Sequence, residues 1–217
     1  QQVEFSVEDN DVAIANGKNA LEALKAIPYP LRKNILRMKI RNDEANSYNC
    51  GSNDFYMRTN WVSDAAGIAM YMVHEFGHSM DFCYNLNSWG NWEPERNSDI
   101  VGVSDYGNNN NYEDYADFTR FYFQCYGDAN KMYGIRQVFP ARYSRLISML
   151  SLTGYPDILA QKISILEEGS DKTELNTWIV KAEEKVAKTD VYSTATFERL
   201  NQTLTAAKAV QASKKST

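Results

Sequence analysis

The longest apolar stretch of the chain lies between residues 65 and 82, where Ile68, Ala69, Met72, Val73, Phe76, Met80 and Phe82 recur at helical spacing with no proline among them. Ser63 or Asp64 can cap its start. The predicted helix is apolar nearly all round, so it should run through the interior of a domain. Upstream, Val3, Phe5 and Val7 alternate weakly and predict an edge strand over residues 1–7. Asn16-Gly17 reads as a break, and residues 19–27 as a helix with Leu21, Leu24 and Ile27 on one stripe, stopped by Pro28-Tyr29-Pro30. A second short helix should begin at Pro30 or Leu31, since proline suits a first helical turn. Residues 38–41 alternate like a strand, and residues 42–54, rich in Asn, Ser, Asp and Gly, read as a loop. Residues 55–61 have strong strand propensity. Ending just before the long helix, they form either an edge strand that holds an extended peptide by backbone hydrogen bonds or an ordinary core strand.

Beyond the long helix, residues 85–102 predict a polar loop carrying Trp89, Trp92 and Pro94, an ordered wall or a mobile lid. The four asparagines at 108–111 are a break and a capping signal for an aromatic-rich helix over residues 112–126. Residues 134–140 read as a connection, and residues 140–152 as a helix opening with proline. After Thr153-Gly154-Tyr155-Pro156 the character changes. From residue 157 onward there is no cysteine or histidine and one tryptophan, Trp178. Leu175, Ile179, Ala182 and Val186 make one apolar stripe, and Phe197, Leu200, Leu204, Ala207 and Val210 a second, with a turn at 190–194 and a frayed end at 213–217. These patterns predict an α+β domain over residues 1–154, mostly helical with a small sheet, followed by a small helical bundle over residues 155–217.

With 217 residues, 43% of them hydrophobic, there is material for a real core. The net charge of −5, with no long basic run, argues against a nucleic-acid groove. No stretch approaches a membrane span, and the polar Gln-Gln start does not read as a signal peptide. Cys50, Cys83 and Cys125 permit at most one internal disulfide and follow no metal-ligand spacing.

The long helix also carries the candidate chemistry. Both histidines of the chain, His74 and His78, lie in one His-Glu-x-x-His pentapeptide. On a helix they share a face and can hold one metal ion, with Glu75 rotated to reach a water on that ion. A buried helix that happens to carry two histidines is the simpler account. The concentration of both histidines here, and the scattered cysteines, favour a catalytic zinc site with three protein ligands and an open position. Position 84 is a tyrosine, so no third histidine follows six residues after His78, and an acid is the expected third ligand. Asp81 would crowd one side of the metal from the same helix. Glu113 and Asp117 share a face of a separate helix, although acids in a first turn also favour the helix dipole. Glu113 reaches further and is the expected ligand, leaving Asp117 to hold a histidine ring N–H. Glu75 would serve as general base toward the water and pass the proton to a leaving amine, while a hydroxyl donor completes an oxyanion site.

His74-Glu75-Phe76-Gly77-His78-Ser79-Met80-Asp81, then Tyr106-Gly107, then Tyr112-Glu113-Asp114-Tyr115-Ala116-Asp117, resembles the catalytic domain of the anthrax toxin lethal factor family and the related secreted Pro-Pro endopeptidases of Gram-positive bacteria. The resemblance covers roughly residues 19–152, with the motifs in order and at matching spacing. It implies a zincin-like fold, Glu113 as third zinc ligand, Tyr106 as the donor to the oxyanion, and a supporting role for Asp117, which is one methylene shorter than the family's usual glutamate. Residues 175–210 resemble the small helical FIVAR modules of Gram-positive surface proteins, on Tyr192-Ser193-Thr194-Ala195-Thr196-Phe197 and Ala206-Ala207-Lys208-Ala209-Val210. A generic helical hairpin capping the first domain accounts for the tail equally well.

The expectation is therefore a zinc metalloendopeptidase of the glutamate-zincin type, secreted or surface-bound in a Gram-positive bacterium. It would hold one catalytic zinc, take a protein or peptide substrate, and have no nucleic-acid partner and no membrane span. The rival is a surface binding or adhesion protein on a zincin scaffold that no longer turns over. Chelator-sensitive peptide cleavage separates the two; metal content alone does not.

Overall fold

Strand-forming residues near the start of the chain pair into one four-stranded sheet in the computed structural model, which describes residues 2–155, 158–160, 163, 173–187, 197–198, 200–205 and 208. Strands β1 (Glu4–Val7), β2 (Arg37–Arg41), β3 (Ser47–Cys50) and β4 (Asp54–Arg58) lie in the order β1-β2-β4-β3. β1, β2 and β4 are parallel, and β3 runs antiparallel to β4. Alternate residues Met38, Ile40, Phe55 and Met57 are fully buried, as a sheet with one covered face requires. The class is α+β, mostly helical with a small sheet.

The first strand lies at a sheet edge, as its weak alternation predicts. Around the other edge one expectation is corrected and one open choice, edge or core strand, is decided. The segment at 42–54 is not all loop: it contains β3, whose polar residues are tolerated because β3 pairs on one side only and is half-exposed. The strand expected at 55–61 begins at Asp54 and ends at Arg58, and it is interior, lying between β2 and β3. The edge beyond it belongs to β3.

Helix α1 (Asp11–Ala26) crosses from β1 to β2 and runs straight through the expected break at Asn16-Gly17. Distant contacts override the local signal there. The Asn16 amide donates to Trp61 O at 2.8 Å and accepts from Ser63 N at 2.9 Å. Gly17 packs on β1 so closely that a Cβ would come within 2.9 Å of Val7. After the short α2 (Tyr29–Arg32), the long apolar pattern forms α3 (Ala65–Tyr84). Asp64 rather than Ser63 caps it, accepting from Gly67 N at 2.7 Å, and Asn85 ends it in the left-handed region. The polar stretch at 85–102 is a wall of helical turns, α4 (Ser88–Asn91) and α5 (Glu93–Ser98). Helix α6 (Asn111–Cys125) follows, capped by Asn110. The connection expected at 134–140 is largely the second half of α7 (Ala129–Val138), followed by α8 (Pro140–Ser151).

In the tail, helix α9 (Thr173–Val186) carries the first predicted stripe, with Ile179 buried. The turn at 190–194, Ala207 and Val210 of the second stripe, the end at 213–217 and most of the residues behind the FIVAR resemblance lie outside the described residues. Among the described residues, no helix is long and apolar enough to cross a membrane.

One ion-pair cluster is sealed in the core. Arg142 of α8 donates to both Asp114 oxygens at 2.6 and 2.8 Å and to Asp99 at 3.1 Å, and Trp92 Nε1 donates to Asp114 at 2.7 Å. Arg142 and Asp114 are almost completely buried. Such a cluster contributes little net stability when intact, but removing one partner strands the others without water. Arg142→Leu should therefore lower the unfolding free energy by about 3–5 kcal/mol, read from denaturant midpoints. A loss under about 1 kcal/mol would mean that Asp99 and Asp114 find other partners.

Candidate metal centre

The site forms where α3 and α6 cross. Gly77 of α3 faces Ala116 of α6, where a Cβ would stand 3.4 Å from the Ala116 Cα, and this small pair lets the helices approach. On α3, His74 and His78 are one turn apart, their rings 4.9 Å apart and nearly perpendicular. On α6, Glu113 and Asp117 are likewise one turn apart and face them. His74 Nε2 lies 3.1 Å and His78 Nε2 3.4 Å from the same Glu113 oxygen. His74 Nδ1 lies 2.8 Å from Asp117. The ligand atoms of His74, His78 and Glu113 all fall within 4.8 Å of one another, a group able to hold a metal ion.

The donor set fits zinc. With ligand distances of about 2.0–2.1 Å, a tetrahedron has edges of roughly 3.3–3.4 Å, close to the separations seen. Two imidazoles and one carboxylate leave a fourth position free. Asp117 occupies Nδ1 of His74, which leaves Nε2 to face Glu113. Asp81, the alternative acid on α3, is turned away into a cap, accepting from Ser88 N at 2.9 Å and Ser88 Oγ at 2.7 Å.

The other expected residues lie close by. Glu75 is buried beside the histidines, and burial raises its carboxyl pKa while His74 and His78 pull it down. Tyr106 is 57% exposed, and its ring stands 5.8 Å from that of His74. Its phenol pKa is raised by burial and by the Glu113 and Glu75 carboxylates. Beyond His78, Tyr112, Phe82 and Trp89 form a contiguous aromatic shelf, with Phe82 and Trp89 about half exposed. Cys50, Cys83 and Cys125 are all free thiols.

Two contributors escaped the sequence reading. Arg120 pairs with Asp117 at 3.2 Å, and Ser104 donates to the other Asp117 oxygen. Both carried a signal: Arg120 is three residues beyond Asp117 on one helix, and Ser104 stands three residues before Gly107, whose backbone N–H donates to its hydroxyl oxygen.

Compared with protein-family models, curated proteins and solved structures, the chain finds no match.

In the metal-free chain the His74 imidazole forms a charged cluster with Asp117 and Glu113. Burial opposes the His74 imidazolium, but the bonds to Asp117 and Glu113 outweigh it and raise its pKa from 6.5 to about 9. Burial pushes the Glu113 carboxyl up, and the histidines more than reverse this, lowering it from 4.5 to about 2. A raised histidine stabilises fully below 6.5 and loses that contribution as pH rises through about 9. A lowered carboxylate stabilises above 4.5 and loses its contribution as pH falls through about 2. Both act in full only between pH 4.5 and 6.5. The chelator-treated protein should therefore out-melt its His74→Gln variant by the widest margin in that window. A margin that stays constant up to about pH 9 would show that no such cluster exists.

Proposed function

We propose that the protein is a zinc-dependent endopeptidase of the glutamate-zincin type, with a zincin-like fold around the α3–α6 crossing. The observation that carries this reading is the convergence of His74 Nε2 and His78 Nε2 on one Glu113 oxygen, with the buried Glu75 next to them. His74, His78 and Glu113 would hold the ion. When bound, zinc supplies Lewis-acid chemistry, polarising a carbonyl and bringing the pKa of a water down to about 7.

The chain's own residues do the rest. Asp117 keeps the proton on His74 Nδ1 and so presents Nε2 as a lone-pair donor. Glu75, whose carboxyl pKa burial raises, takes the proton from the attacking water and delivers it to the leaving amine nitrogen. Tyr106 donates its phenolic O–H to the carbonyl oxygen as that oxygen gains charge. Its exposure at the mouth of the site, beside His74, is consistent with a group that meets substrate. The substrate class that goes with these roles is a protein or peptide.

The purified protein should bind one zinc, and His74→Ala should lose it by metal analysis. Undiminished zinc in that variant would remove the triad. Glu75→Gln should keep the zinc and lose chelator-sensitive cleavage of a peptide library. Tyr106→Phe should keep zinc and substrate binding while turnover falls about a hundredfold to a thousandfold. A turnover within about twofold of the parent, far below that range, would make Tyr106 a packing residue only. A parent that binds zinc and cleaves no peptide in the library would favour the binding-protein alternative.

A further inference from the structure

Ser104 belongs to none of the roles so far assigned, yet it is buried between two parts of the site. Its hydroxyl donates to Asp117 Oδ2, while Asp117 Oδ1 lies 2.8 Å from His74 Nδ1. The same hydroxyl oxygen accepts from Gly107 N at 2.8 Å. Gly107 is the next residue after Tyr106. One hydroxyl thus connects the aspartate behind His74 to the backbone that carries the Tyr106 phenol.

The turn has little freedom to compensate for a lost contact. A Cβ at Gly107 would meet Val103 at 2.8 Å, Ser104 Oγ at 3.1 Å and the Asp114 Cα at 3.2 Å, so the peptide is pressed against α6. Asn108 lies against Gly102, and its carbonyl accepts from Arg96 of α5. Asn110 then starts α6 by accepting from Glu113 N at 3.1 Å. The Gly107 amide is buried at the centre of this turn, and Ser104 Oγ is the acceptor it has. Without that acceptor the amide is left unpaired in the interior, which a buried N–H does not tolerate without movement.

We infer that Ser104 is a positioning residue that couples the support of His74 to the placement of the Tyr106 phenol. The hydrogen-bond chain His74–Asp117–Ser104–Gly107 needs no metal. Its consequence for turnover rests on the proposed reading of Tyr106 as the oxyanion donor. Through this chain, the histidine that would face the metal and the phenol that would face the carbonyl are set by one buried hydroxyl.

The test reads both ends of the chain in the metal-free protein by NMR, where two histidines make assignment direct. Ser104→Ala should speed amide exchange at Gly107 by about fivefold to tenfold, the effect of losing one hydrogen bond. It should also shift the His74 Nδ1–H resonance while leaving that of His78 in place. Ser104→Thr retains a hydroxyl and should restore both signals. Circular dichroism and slow exchange in the cores of α3 and α6 show whether each variant keeps its fold, and Ser104→Cys, with a weaker donor of similar size, stands in if threonine does not fit. Parent-like Gly107 exchange, or an unmoved His74 resonance in a folded Ser104→Ala, overturns the coupling. In the active enzyme, Ser104→Ala should lower kcat by about tenfold with KM nearly unchanged, at the low end of effects for residues behind a metal ligand. A parent that neither binds zinc nor cleaves peptide would end the proposed function, while the two NMR signals would still test the coupling by themselves.

Discussion

The geometry of the site depends on how α6 is rotated against α3, and that rotation is set by a buried ion pair with no part in the chemistry. Glu113 and Asp114 are consecutive, so their side chains leave the helix roughly 100° apart. Asp114 is held on both oxygens by Arg142 of α8 and on one by Trp92. With Asp114 locked on that side, Glu113 can only face α3, where His74 and His78 are waiting. Asp117, one turn on, then falls behind His74. A fully buried arginine is a costly way to stabilise a core. As a way to fix the direction of one neighbouring side chain it is effective, because neither partner can rotate without stranding a charge.

The same logic explains which features were legible in the sequence. His74 with His78, and Glu113 with Asp117, could each be paired because their meaning lies in spacing along a helix, a local rule that holds wherever the helix packs. That the two pairs meet was implied by the missing third histidine and by the family resemblance. The helix itself was legible because α3 is buried on most sides and its apolar residues recur at helical spacing with no proline among them. What failed was local reading of segments whose state is set by distant partners. Asn16 looks like a break until Trp61 O and Ser63 N take up its amide. Ser47, Asn49 and Cys50 look like loop until β4 offers them a ladder. Whether β4 is an edge or a core strand stays open in the sequence, because nothing in the preceding polar stretch announces the further strand that covers it. Trp92 in a polar stretch was a clue left unused: it is fully buried because Asp114 gives its indole N–H a partner.

Electrostatically the cluster favours positive charge between its groups. Two imidazoles share one carboxylate oxygen at distances of 3.1 and 3.4 Å, and a second carboxylate lies behind the first histidine. Three nearby acids, Glu75, Glu113 and Asp117, favour positive charge at this point, and on the metal-free chain a proton on His74 supplies it. A divalent ion would supply more of it without asking the imidazoles to be charged. Glu75 gains by this as well. Its carboxyl is raised by burial and pulled down by the histidines, so the charge held between His74 and His78 decides how readily it gives up its proton.

Depth separates the two groups proposed for proton transfer and oxyanion binding. Glu75 is 7% exposed and Tyr106 is 57% exposed, although both lie beside His74. A base works best where water is scarce, since a desolvated carboxylate binds its proton more strongly. A donor to a substrate oxygen has to stand where substrate arrives, and there it faces solvent competition and loses entropy on ordering. The turn from Ser104 to Asn110 answers the second problem. It is pinned from below by Ser104, from the side by Arg96 and at its end by Asn110, so the backbone beneath the phenol is held by three hydrogen bonds. An exposed side chain on a fixed base keeps only its own rotamers to lose, which is the arrangement that lets a surface tyrosine act as a preorganised donor.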